Sequence, residues 1–144
     1  EGILKAEIAW MCTGNPYIGV PGVSNHKGLE TVLRKLKEQG LKRVYECYDM
    51  DKMMELSCKH DEKSACRQCE HGIYLYHGEC PKKRRKRDMI RKGCIKLYEI
   101  CEELNVSCKR VTWDTDASGT WMEHYKGVDD WILRKEEKGH RKTA

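Results

Sequence analysis

The sequence predicts an α/β protein on two observations. Short β-type runs alternate with stretches of helical apolar spacing, and one of those runs ends in a pair of aspartates. Alternation of this kind implies a parallel sheet with crossover helices. The aspartates lie in Tyr48-Asp49-Met50-Asp51, behind an apolar run, which predicts two carboxylates at the mouth of a buried strand. Residues i and i+2 of an extended strand share a face roughly 6–7 Å apart. Both carboxylates can then reach one Mg²⁺ or a pair of them, a cation that takes oxygen ligands and usually keeps waters and a substrate phosphate.

A length of 144 residues suits one well-buried domain, 1–144, and not two. The hydrophobic fraction of 39% is enough for a core, while 35% charged residues and a mean hydropathy of −0.81 imply a large wetted surface. No apolar run approaches the ~20 residues that a bilayer requires, which excludes a membrane-spanning role. Nine cysteines without a secretory signal predict reduced thiols, some of them on metal, and a cytoplasmic location. Six of the cations stand together at Lys82, Lys83, Arg84, Arg85, Lys86 and Arg87. Such a block attracts phosphate backbones, although a solvated basic loop is an equal reading.

Taken in order, Leu4, Ile8, Met11 and Cys12 recur at helical spacing up to the breaker Gly14-Asn15-Pro16. The chain begins at Glu1 with no strand before it, so a fragment of a longer protein is expected. Tyr17 to Val23 is a β-type run, read as a strand and a loop. Ser24 or Asn25 can cap a helix whose apolar positions are Leu29, Val32, Leu33 and Leu36, ending before Gly40. Arg43 to Tyr48 is the strand that delivers Asp49 and Asp51. Periodicity vanishes after Met53 and Met54, and an insertion rich in cysteine and basic residues is assigned to 58–87. A helical face returns with Ile90, Cys94, Leu97, Cys101 and Leu104, followed by a strand over Val106 to Trp113. A short helix holding Trp131, Ile132 and Leu133 closes the chain, with Asp129 or Asp130 as its cap.

Four segments in this order carry a family resemblance. EGILKAEIA is similar to the glutamate-glycine motif of the Toprim domain running into its first helix, GVPGVSN to its second strand and loop, and YDMDK to its DxD motif. KGVDDWIL resembles the closing motif of Toprim-like domains attached to primase or helicase modules of plasmids, phages and integrative elements. The resemblance implies a Toprim-like Rossmannoid fold, a mainly parallel sheet of about four strands flanked by helices, with the Cys-rich segment inserted. It implies Glu1 as general acid/base and Asp49 and Asp51 as ligands of Mg²⁺ (or Mn²⁺) in phosphodiester transfer or hydrolysis on DNA, RNA being open as well. Helicase or primase modules of the same parent protein are the implied partners. Lys5 is placed to contact phosphate from the turn that carries Glu1. Asp129 and Asp130 either add a metal ligand or cap the last helix.

In the insertion, Cys66 and Cys69 form a C-x-x-C pair flanked by Cys58 and Cys80. Four thiolates can close a tetrahedral Zn²⁺ site, and metal binding can fold a segment with little apolar surface of its own. A histidine (His60, His71 or His77) replacing one thiolate, or a loop of unpaired thiols, are the alternatives. Tyr74 and Tyr76 then either stack on bases or pack in a small hairpin. A second functional class also fits the sequence: a zinc- and nucleic-acid-binding module that keeps the scaffold without its catalysis.

Overall fold

A computed structural model of the chain describes residues 2–57 and 79–140, with 136–140 as backbone only. The elements run α1 (Ile3–Thr13), α2 (His26–Glu38), β1 (Arg43–Glu46), a 3₁₀ turn (Met50–Met53), α3 (Pro81–Glu103), β2 (Ser107–Arg110) and α4 (Val128–His140). The fold is mixed α/β. Among the described residues the sheet has two strands, β1 and β2, paired in parallel, with α3 lying in the connection between them. No helix among the described residues is long and apolar enough to cross a membrane.

The long helix organises the core. Ile90, Gly93, Cys94, Leu97, Ile100 and Cys101 are its buried residues, the i, i+3, i+4, i+7 stripe expected of an amphipathic helix. Against that stripe pack Leu29 and Leu33 of α2, Val20, Val23, Tyr48 and Val106. Gly93 matters sterically, because a Cβ there would stand 2.8 Å from both Cβ and the carbonyl oxygen of Val23. A second cluster of Met50, Trp113 and Trp121, with Tyr125, Val128 and Trp131 packed on it, joins the loop after β1 to the start of α4.

Several expectations are corrected. The run 17–23 is not a strand. Pro21 has no N–H to give a ladder, and the segment instead lies against the start of α1, where Val20 accepts a hydrogen bond from the Gly2 N–H at 2.6 Å. Gly19 permits this approach, since a Cβ there would come within 2.6 Å of the Ile3 Cα. The apolar stripe of α1 is largely uncovered: Leu4 is 69% and Met11 72% exposed, and Ala9 is the helix's one buried residue. The helix does stop where the breaker stands, with Gly14 in the left-handed region at φ 69° and its N–H on the Trp10 carbonyl. Val32, placed on the buried face of α2, is exposed.

The C-terminal part of the stretch assigned to 58–87 is helical. Pro81 occupies the first turn of α3, where its fixed φ suits a helix start, so Lys82 to Arg87 belong to that helix and not to a loop. Ser57 and Glu79 pair in an isolated antiparallel bridge. Cys58, Cys66 and Cys69 lie outside the described residues, as does Glu1.

Candidate functional site

Asp49 and Asp51 follow β1, on the approach to the 3₁₀ turn and within it, and each is only 2% exposed. Three ammonium groups meet them. Lys5 of α1 donates to both oxygens of Asp49, at 2.7 and 2.9 Å. Lys126 lies between the two carboxylates, 3.0 Å from Asp49 Oδ2 and 3.2 Å from Asp51 Oδ2. Lys86 of α3 stands 2.9 Å from Asp51 Oδ2. Neither lysine is aligned to hydrogen-bond that oxygen, so Asp51 Oδ2 is buried with charge partners but no hydrogen bond. The result is a row of alternating charge, Lys5–Asp49–Lys126–Asp51–Lys86.

Backbone geometry holds the row in place. The Met50 N–H donates to the Lys126 carbonyl at 3.0 Å, which ties the aspartate loop to the segment before α4. Gly127 leaves the room: a Cβ there would strike Asp129 Oδ1 and stand 3.3 Å from Lys5 Nζ. Burial pushes the Asp49 carboxyl up, but Lys5 and Lys126 outweigh it and hold the group below its ordinary value. For Lys126 burial pulls downward, and its ion pairs with Asp49 and Asp51 more than restore it, leaving the ammonium raised.

A buried ion pair lies directly beneath. Glu46, the last residue of β1, and Lys52, next after the aspartate pair, have fully buried side chains 2.7 Å apart. The Lys52 ammonium also donates to the carbonyls of Tyr48 at 2.8 Å and Val111 at 3.2 Å, and it stands 5.3 Å from the ring centre of Trp113. Glu46 accepts further from the Tyr48 N–H at 2.7 Å and from Arg110 Nε at 3.2 Å. Lys52 thus joins the ends of β1 and β2 underneath the loop that presents Asp49 and Asp51.

No family model, curated protein or solved structure matches the chain. The site therefore rests on its own geometry.

Of the residues singled out from sequence, Asp49, Asp51, Lys5 and Lys86 come together. Asp129 is nearby and 7% exposed, with Oδ1 buried and without a hydrogen-bond partner; this oxygen caps nothing. Asp130 is exposed. Among the described residues, no three His, Cys, Asp or Glu side chains converge as a metal cage, so Asp129 does not complete a triad with the aspartate pair. Within the basic block, Lys83 donates to the Ser57 carbonyl at 3.2 Å, Arg84 pairs with Glu79, and Arg87 reaches the Met54 carbonyl at 3.4 Å. Lys82 and Arg85 are exposed. Cys80, the described member of the cysteine set, carries a free thiol and is half-buried at the start of α3.

The donor set suits a hard cation. Mg²⁺ is commonly held by one or two carboxylates with waters and substrate phosphate filling the remaining positions, so two aspartates suffice without a third. Lys126 Nζ, bridging one oxygen of each, marks where a positive charge is already stabilised. Sequence reasoning missed Lys126, Glu46 and Lys52. The lysine preceding Gly127 in KGVDD was a usable signal for the first; nothing local distinguishes the other two from surface charges.

Proposed function

We propose that the chain is a Toprim-like domain of a replication or mobile-element protein, acting on nucleic acid in Mg²⁺-dependent phosphodiester transfer or hydrolysis. The observation that carries this reading is the pair of buried aspartates at the carboxyl end of a parallel strand, where open α/β folds bind ligands, with a lysine ammonium bridging them. Asp49 and Asp51 hold the cation. Lys5, Lys86 and Lys126 offset the carboxylate charge without it and turn to phosphate oxygens when the cation takes their place. A bound divalent ion would supply charge stabilisation at the phosphoryl oxygen. Glu1 is the general acid/base by resemblance. Cys58, Cys66, Cys69 and Cys80 are proposed as a zinc knuckle beside the basic start of α3, and helicase or primase modules as companions.

Three ammonium groups on two carboxylates favour a second reading, a nucleic-acid-binding module whose acidic pair is permanently neutralised. Calorimetric titration with Mg²⁺ and Mn²⁺ separates the two. The catalytic reading expects a divalent site in the wild type that is lost in Asp49→Ala/Asp51→Ala. Equal binding by both proteins, or none by either, removes it, and a DNA-nicking assay with Glu1→Gln as control then tests turnover.

A further inference from the structure

Among the described residues, one face of the two-stranded sheet is left uncovered. In the β1–β2 register, Arg43 pairs with Ser107, Val44 with Cys108, Tyr45 with Lys109 and Glu46 with Arg110. Side chains alternate along a strand. Val44 and Cys108 pack against the core and Glu46 is buried, so that set faces α3. The alternate set, Arg43, Tyr45, Ser107 and Lys109, is exposed, and Tyr45 shows 54% of its surface. Among the described elements, β1 and β2 contact each other and α3 and nothing else. Parallel sheets are ordinarily covered on both faces, so this bare face calls for an occupant.

Its chemistry selects one. An apolar helix or strand laid across it would bury the guanidinium of Arg43 and the ammonium of Lys109 without counter-charges, a costly arrangement. The described residues of the face, Arg43, Tyr45, Ser107 and Lys109, include no acid. It offers a phenol ring with two cations as neighbours: the Arg43 guanidinium donates to the Tyr45 hydroxyl at 3.5 Å, and Lys109 is the cross-strand partner of Tyr45. Both cations favour the ionised phenol, the hydrogen bond from Arg43 first, and they hold the Tyr45 hydroxyl below its ordinary range.

We infer that the Arg43–Tyr45–Lys109 face binds single-stranded nucleic acid, with one base stacked on the Tyr45 ring and flanking phosphates on Arg43 and Lys109. Stacking on an aromatic side chain tolerates any base, and the phosphate contacts make the affinity salt-dependent. Binding here requires no metal and does not pass through Asp49 or Asp51, whose carboxylates belong to the loop beyond the strand.

Fluorescence anisotropy of the whole chain with labelled oligothymidylate, oligouridylate and a duplex tests this. Tyr45→Ala is expected to weaken both single strands about tenfold, with Tyr45→Trp retaining affinity. Arg43→Ala/Lys109→Ala is expected to flatten the slope of log affinity against log salt by about 1.4, the share of two phosphates on a single strand. Every measurement is made in EDTA, where no divalent site is filled, so failure of the metal titration leaves this result standing. Tyr45 is exposed, and circular dichroism will show its variants folded. Unchanged affinity in Tyr45→Ala overturns the inference, as does a duplex bound as tightly as the single strands.

Discussion

Lys52→Met removes the ammonium beneath the aspartate loop while keeping most of its volume, because methionine fills irregular space well. The cavity contribution is therefore small, and the loss is electrostatic. Glu46 would remain fully buried without its 2.7 Å partner, and the Tyr48 and Val111 carbonyls would each lose a donor. Breaking a buried pair from one side costs about 3–5 kcal/mol. Arg110 and the Tyr48 N–H still reach Glu46, which places the expectation near the lower end, about 3 kcal/mol. With a urea m-value of about 2 kcal/mol/M, the midpoint should fall by about 1.5 M. Adding Glu46→Gln should recover part of the loss, because glutamine carries no buried charge and its single oxygen can still accept from one of the two donors, the Tyr48 N–H or Arg110 Nε. Two results refute the reasoning: a Lys52→Met shift below about 0.5 kcal/mol, the scale of an ordinary surface substitution, or a double variant no more stable than the single one.

Gly93→Ala should destabilise by about 1–3 kcal/mol through overpacking against the Val23 backbone, reversing the gain of about 1 kcal/mol that alanine normally brings to a helix interior; thermal melts will give the sign. The lowered Asp49 carboxyl gives a pH dependence of defined direction. A depressed folded value stabilises above the unfolded carboxylate pKa of about 3.9 and is lost as pH falls through the folded value. Urea midpoints from pH 7 down to about 2.5 should therefore drop below about pH 4, and Asp49→Asn should show a shallower acid limb. An equal acid limb in the variant would count against the Lys5–Asp49–Lys126 pairing.

What was legible in the sequence follows from how locally each feature is determined. The stripes Leu29–Leu33 and Ile90–Cys94–Leu97–Cys101 are repeats of one helical turn, and they lie buried where the spacing placed them. The strand ending before Asp49 and its parallel partner near Cys108 were legible for the same reason. The run 17–23 misled because Val20 and Val23 are buried without a ladder, their apolar character serving a coil packed on α3. The stripe of α1 misled in the opposite sense, since spacing reports a face but not whether anything covers it. Glu46 and Lys52 could not be read at all. A glutamate and a lysine six positions apart are surface residues by default, and only the convergence of both strand ends with Trp113 makes their burial favourable.

The two charged groupings differ in how they couple stability to function, and that difference decides which variants are informative. The row Lys5–Asp49–Lys126–Asp51–Lys86 draws on α1, the loop after β1, the segment before α4 and α3, so it ties distant parts of the chain together. Its lysine side chains nevertheless keep 31%, 48% and 47% exposure for Lys5, Lys126 and Lys86. When an aspartate is removed, each ammonium can turn to water, and screened pairs of this kind contribute about 0–1 kcal/mol. Neither Glu46 nor Lys52 has that escape. Substitutions of Asp49 and Asp51 therefore test the proposed cation binding with the fold largely intact, whereas substitutions one layer beneath them, at Lys52 or Glu46, would remove any such binding by loosening the loop. A loss of divalent affinity in Lys52→Met would not implicate Lys52 as a ligand. The same loss in Asp49→Ala/Asp51→Ala, with the urea midpoint lowered by no more than about 0.5 M, would implicate the aspartates.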